Sequence, residues 1–153
     1  MASSDPCNNV SVTSPTQNSQ RVGLQTRVLL VEDDPDLREA LKMILEPAEM
    51  EVEAAVDGAQ ALKLLDAEPL GFDVVVTDRI MPKVDGIELL RTIKQRREIA
   101  LLPVIILTVA AQPQEMVEGI DAGAYAYLPK PVDADVLVSM IRSAAADWRH
   151  VQE

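Results

Sequence analysis

Cysteine is nearly missing: Cys7 stands alone among 153 residues. One thiol excludes an internal disulfide, and such sparing use suits a reducing compartment. Histidine is as scarce, with only His150 near the last residue. The fold interior therefore has no Ser-His or Cys-His dyad and no zinc-type ligand cluster. Aromatic residues make up 3% of the chain, so aliphatic side chains must fill the core, as in layered α/β folds. No apolar run approaches the roughly 20 residues of a membrane helix. The N-terminus has no basic region followed by an apolar stretch, so it does not read as a secretory signal. The expectation is a cytoplasmic protein with no membrane partner. A net charge of −11 argues against direct nucleic-acid binding, which needs a cationic surface. Solubility alone also accounts for an acidic surface.

What is present centres on Phe72 to Gly86. Val74, Val75 and Val76 form an unbroken β-branched run, as in a strand buried on both faces. Asp78 stands where the run stops, and Pro82 and Gly86 break the chain before a helical pattern starting at Ile87. A carboxylate at the C-terminal lip of a buried parallel strand is where open α/β sheets keep their chemistry.

Around this stretch the chain alternates. Residues 1–26 are polar, rich in Ser, Thr, Asn and Gln, and cannot bury enough apolar surface to offset their ordering entropy; they read as a disordered tail. Val28 to Val31 make a first strand. Asp34 caps a helix with Pro35 at its first position and Leu37, Leu41, Ile44 and Leu45 on one face. Met50 to Val56 alternates apolar and acidic residues, as an edge strand does. Asp57-Gly58 opens a second helix, and Val74 to Thr77 with the Ile87–Ile93 helix follows. Val104 to Leu107 is a fourth strand ending at Thr108. A fourth helix carries Met116, Val117 and Ile120 and stops at Gly123. Tyr125 to Leu128 is a fifth strand, and a last helix runs from about Asp133 to Trp148. The folded domain is thus 27–148, with 149–153 a short C-terminal extension.

Strict β-α alternation predicts a flavodoxin-like α/β fold: a five-stranded parallel sheet with helices on both faces. The two weaker strands belong at the edges, which gives the order 2-1-3-4-5. In a parallel sheet all strand C-termini share one rim. Glu32, Asp33 and Asp34 close the first strand, Asp78 the third, Thr108 the fourth, and Lys130 the fifth. Two carboxylates about 5 Å apart repel by roughly 3 kcal/mol at an effective dielectric near 20. A divalent cation relieves that repulsion, and hard oxygen ligands suit Mg²⁺. A carboxylate beside Mg²⁺ and a lysine is equipped to attack a phosphoryl group and form an acyl phosphate. Taken singly, each residue has a plainer role: Asp34 as a helix cap, Thr108 in a turn, Lys130 as a solvated charge. Their convergence on one rim is what favours chemistry.

These residues resemble the receiver domain of two-component response regulators, of the stand-alone, chemotaxis-regulator-like kind. The matching stretches are Val-Leu-Leu-Val-Glu-Asp-Asp-Pro-Asp-Leu-Arg at 28–38, Asp-Arg-Ile-Met-Pro-Lys-Val-Asp-Gly at 78–86, Ile-Ile-Leu-Thr at 105–108 and Tyr-Leu-Pro-Lys-Pro at 127–131. The spacings also match, with Thr108 30 residues after Asp78 and Lys130 22 after Thr108. The resemblance implies that Asp78 is the phosphoacceptor, served by a histidine kinase or phosphotransfer protein. It implies direct Mg²⁺ ligation by Asp33, Asp78 and the Ile80 backbone carbonyl, with Glu32 acting through water. Thr108 and Tyr127 would be a switch pair, the hydroxyl moving toward the phosphoryl group and the ring turning inward. Lys130 would hold a phosphoryl oxygen, aimed by a cis peptide to Pro131. Such a protein is a signalling switch and not an enzyme in the turnover sense.

Glu32, where aspartate is more frequent, and Arg79 depart from the commonest pattern of the family. Arg79 puts a charge directly after the acceptor, where it would tune kinase choice or phosphate lifetime. Ile80 and Ala110 are apolar at positions that help place the hydrolytic water, so slow self-dephosphorylation is expected. Output would pass to a downstream protein through the fourth helix, fifth strand and fifth helix, including Met116, Tyr125, Met140 and Arg142, or through a phosphorylation-dependent homodimer. The alternatives are a phosphorylation-independent adaptor, or the receiver part of a longer response regulator or hybrid kinase. An Asp-nucleophile phosphatase fits less well, because that class places a second aspartate where this chain has Ile80.

Overall fold

The computed structural model describes residues 25–81, 84–109 and 112–152. The expected polar tail, Cys7, Pro82 and Ala110 lie outside them, apart from the tail's last two residues. The chain alternates β1 (Thr26–Val31), α1 (Pro35–Leu45), β2 (Met50–Ala55), α2 (Gly58–Ala67), β3 (Val74–Asp78), α3 (Gly86–Lys94), β4 (Val104–Thr108), α4 (Pro113–Asp121), β5 (Ala126–Pro129) and α5 (Ala134–Gln152). All pairings are parallel, in the order β2-β1-β3-β4-β5, the flavodoxin-like arrangement that the alternation predicts.

The valine run is continuous because both faces of the central strands are covered. Leu29, Val31, Val75 and Ile106 join Leu65, Leu89, Leu90 and Ile93 on one side. Val28, Leu30, Val74, Val76, Ile105 and Leu107 join Leu41, Leu45, Leu137 and Ile141 on the other. Each such side chain contributes about 1.5–3 kcal/mol by leaving water, and successive residues feed opposite layers. Helix starts follow local chemistry. Asp34 accepts from the Asp36 N–H at 3.0 Å, Asp57 from the Gln60 N–H at 2.8 Å, and Asp85 and Glu88 form a reciprocal capping box. Gly123, with φ of +107°, stops α4 in a conformation that a side chain would strain.

Several boundaries differ from the sequence-based expectation, and three of them shape the rim and the far end of the sheet. β3 takes in Asp78 itself, so the carboxylate is carried by the last ladder position. β5 begins at Ala126; Tyr125 precedes it, although its N–H still bonds to the Val104 carbonyl at 2.8 Å. The last helix does not end at Trp148 but continues to Gln152. Residues 149–152 contain no glycine or proline, and Arg149 reaches Asp73 at 3.1 Å and Thr26 at 3.2 Å. That tie fixes an extra turn onto the opposite end of the sheet from the rim.

Candidate functional site

The rim is built from strand ends. Glu32 and Asp33 follow β1, Asp78 ends β3, Thr108 ends β4, and Lys130 follows β5. Main-chain bonds tie the rim together: Glu32 N–H to the Ala55 carbonyl at 3.0 Å, Arg79 N–H to Leu107 at 2.9 Å, and Lys130 N–H to Thr108 at 2.8 Å. Glu32, Asp78, Thr108 and Lys130 are therefore placed by ladder geometry, and Asp33 follows directly in the bend after β1.

Carboxylate oxygens of Glu32, Asp33 and Asp78 lie within 4.8 Å of one another. Asp34, the remaining acid of the first strand's end, caps α1. The Lys130 ammonium sits 3.1 Å from Asp78 and 3.2 Å from Glu32, and the Lys130–Pro131 peptide is cis. Glu32 is 2% exposed. Its carboxyl is held above the usual range, first by burial and also by the Asp78 charge, against the opposing Asp34 N–H and Lys130. Asp33 is exposed and Asp78 half-buried, so the cluster opens to solvent on one side. Three acids against one ammonium leave excess negative charge in a pocket of oxygen donors. A small hard cation such as Mg²⁺ fits that donor set.

The loop after Asp78 folds back on the strand, with the Gly86 N–H bonded to the Arg79 carbonyl at 2.8 Å. A Cβ at Gly86 would sit 2.4 Å from the Asp78 carbonyl oxygen. Only glycine allows α3 to start this close to the end of β3. Ile80, the expected backbone ligand, follows on the same loop and is 63% exposed.

Thr108 is 1% exposed at the end of β4. Tyr127 does not line the acid cluster. It is buried in the core, and its hydroxyl accepts a hydrogen bond from Arg79 Nη1 at 2.7 Å. Arg79 also pairs with Glu118 on α4 at 2.8 Å. Sequence reading flagged Arg79 as unusual but gave it neither partner, and it missed Glu118. The only available signal was a charge directly after Asp78, at the point where the chain leaves the sheet. Of the proposed output surface, Met116 and Arg142 are exposed, whereas Met140 is half-buried. Tyr125 bonds to Ser143 at 2.8 Å and Asp147 at 3.0 Å on α5. Among the described residues, no helix is long and apolar enough to cross a membrane.

The profile of the response regulator receiver domain matches residues 28–142. The transcriptional regulatory protein CpxR of Escherichia coli is 40% identical over 129 residues, covering 83% of this chain and 53% of its own length. The DNA-binding dual master transcriptional regulator RpaA of Synechocystis is 34% identical over 117 residues, covering 76% and 48%. The chain thus spans about half the length of these relatives. Among solved structures, a response regulator receiver domain protein from Clostridium thermocellum superposes with a TM-score of 0.77 at 30% identity, over 82% of this chain and 98% of that one. The receiver domain of a signal transduction histidine kinase from Syntrophus aciditrophicus gives 0.73 at 31% identity, over 80% and 91%.

Proposed function

The chain belongs to the response regulator receiver domain family, and on that premise we propose that it is a phosphorylation-dependent signalling switch whose acceptor is Asp78. The observation that carries the reading is the Lys130–Asp78 contact of 3.1 Å beside the Glu32–Asp33–Asp78 cluster. A phosphohistidine on a kinase or phosphotransfer protein is the natural donor. An Asp78 carboxylate oxygen attacks phosphorus, the P–N bond breaks, and its electron pair leaves with the histidine nitrogen. The product is a mixed carboxylic–phosphoric anhydride on Asp78.

Asp33, Asp78 and the Ile80 carbonyl would hold Mg²⁺, with Glu32 supporting through water. The cation supplies charge neutralisation for the phosphoryl oxygens. Lys130 binds one of those oxygens, exchanging its contact with the free carboxylate for one with the new group. Buried Thr108 donates its hydroxyl toward the phosphoryl group, and the shift passes to α4 and β5, whose junction the already buried Tyr127 ring occupies. Ile80 and Ala110 offer no polar side chain to orient a hydrolytic water, which supports a long-lived acyl phosphate. The chemistry is self-modification and not turnover of an external substrate, and the setting is cytoplasmic.

The domain would act as a stand-alone receiver or as the receiver part of a longer response regulator or hybrid kinase. In either setting a downstream protein or a second copy reads the α4–β5–α5 face, and the acidic domain does not itself contact nucleic acid. Incubation with acetyl phosphate and Mg²⁺ followed by intact mass tests the function. One added phosphate, lost in Asp78→Asn, is the expected result. No added phosphate would leave a phosphorylation-independent adaptor, and steady hydrolysis of many phosphate esters would indicate a phosphatase.

A further inference from the structure

Arg79 leaves the end of β3 sideways and crosses to α4. One guanidinium nitrogen donates to the Tyr127 hydroxyl at 2.7 Å and contacts the Glu115 carbonyl at 3.4 Å. The other meets the Glu118 carboxylate at 2.8 Å. The guanidinium carbon also lies 5.9 Å from the Tyr127 ring centroid, within cation–π range. Gly119 completes the arrangement: a Cβ there would sit 2.4 Å from the ring, so the helix that carries Glu118 also makes room for Tyr127. The hydrogen bond and positive charge of Arg79 hold the Glu118 carboxyl below its usual range.

We propose that Arg79 is a positioning residue that fixes Tyr127 in its buried place by bridging it to Glu118. Every group in this clasp lies on β5 or α4 or directly after the acceptor, and none belongs to the acid cluster. The ring is therefore favoured in the same place before and after phosphorylation of Asp78, and Thr108 with its neighbouring backbone carries the change. That last clause rests on Asp78 being the phosphoacceptor; the clasp itself does not. A hydrogen bond to a charged donor shifts a two-state ratio by about tenfold or more. Removing it should raise the exposed fraction of the ring by that factor.

The chain has two tyrosines, so ring-labelled tyrosine resolves them by NMR, with Tyr125→Phe giving the assignment. The reading is the protection of the Tyr127 ring from a soluble paramagnetic probe, with and without acetyl phosphate and Mg²⁺, and intact mass reports phosphorylation in the same samples. Wild type should stay protected in both states. Arg79→Gln should lose protection about tenfold without phosphate, and Glu118→Gln, a change at an exposed side chain, should lose part of it. Unchanged protection in both variants would overturn the clasp, as would a wild-type ring that becomes protected only on phosphorylation. Absence of any mass gain would sink the phosphoacceptor reading instead, while the unphosphorylated comparison still decides the clasp.

Discussion

The Lys130 ammonium lies 3.1 Å from the Asp78 carboxylate, joining the residues after β5 to the end of β3 across the C-terminal end of the intervening β4. Lys130 also contacts Glu32 at 3.2 Å. One cation thus compensates two of the three clustered acids, and Glu32 has almost no solvent to replace it.

Lys130→Met should therefore cost about 3 kcal/mol of stability in divalent-free buffer, the usual effect of stripping a partner from a buried charge. Added Mg²⁺ should restore part of the loss by supplying positive charge at the same carboxylates. Urea midpoints with and without Mg²⁺ check this. A Mg²⁺-independent loss would mean that Lys130 acts by packing alone. The same variant should form the acyl phosphate at least tenfold more slowly, since it removes a contact to a transferring oxygen.

Gly86→Ala should destabilise the protein by roughly 3 kcal/mol, against the gain of up to about 1 kcal/mol that alanine brings to an ordinary helix position. The cause is steric, because a Cβ would stand 2.4 Å from the Asp78 carbonyl. Thermal unfolding reads the sign directly. A neutral or stabilising result would show that α3 can back away from the end of β3.

Lys94 is the titration to watch. Burial lowers its folded-state pKa below the ordinary 10.5. Between that lowered value and 10.5 the unfolded chain binds more protons than the folded one, so stability should rise with pH through this window. Lys94→Met removes the cost of burying the charge. The variant should melt higher than wild type at pH 7, and the difference should shrink as pH approaches 10.5. A difference that stays constant with pH would assign the effect to packing.

The alternating pattern made the sheet and its rim legible. Once Val28–Val31, Val74–Thr77 and Val104–Leu107 are strands of one parallel sheet, Asp33, Asp78 and Thr108 must share an end, whatever the loops do. Lys130 followed in the same way from the weaker fifth strand. What could not be read was side-chain reach. Arg79 meets Tyr127 across 48 positions and Glu118 across 39, and no periodicity encodes such a bridge. The inward seat of Tyr127 depends equally on Gly119, which in sequence is only a weak spot in a helix. The extra turn of α5 was missed for a similar reason: a salt bridge from Arg149 to Asp73, not local propensity, anchors it.

The most direct test is chemical mapping of the phosphorylated residue. Borohydride reduces an acyl phosphate to the alcohol and releases phosphate, which turns a phosphorylated aspartate into homoserine, an assignment that peptide mass spectrometry then localises. Phosphorylation with acetyl phosphate and Mg²⁺ should place homoserine at Asp78 alone, and none should form when Mg²⁺ is chelated beforehand. Homoserine at Asp33 or at another carboxylate, or none anywhere despite Mg²⁺, would contradict the assignment of Asp78 as the nucleophile.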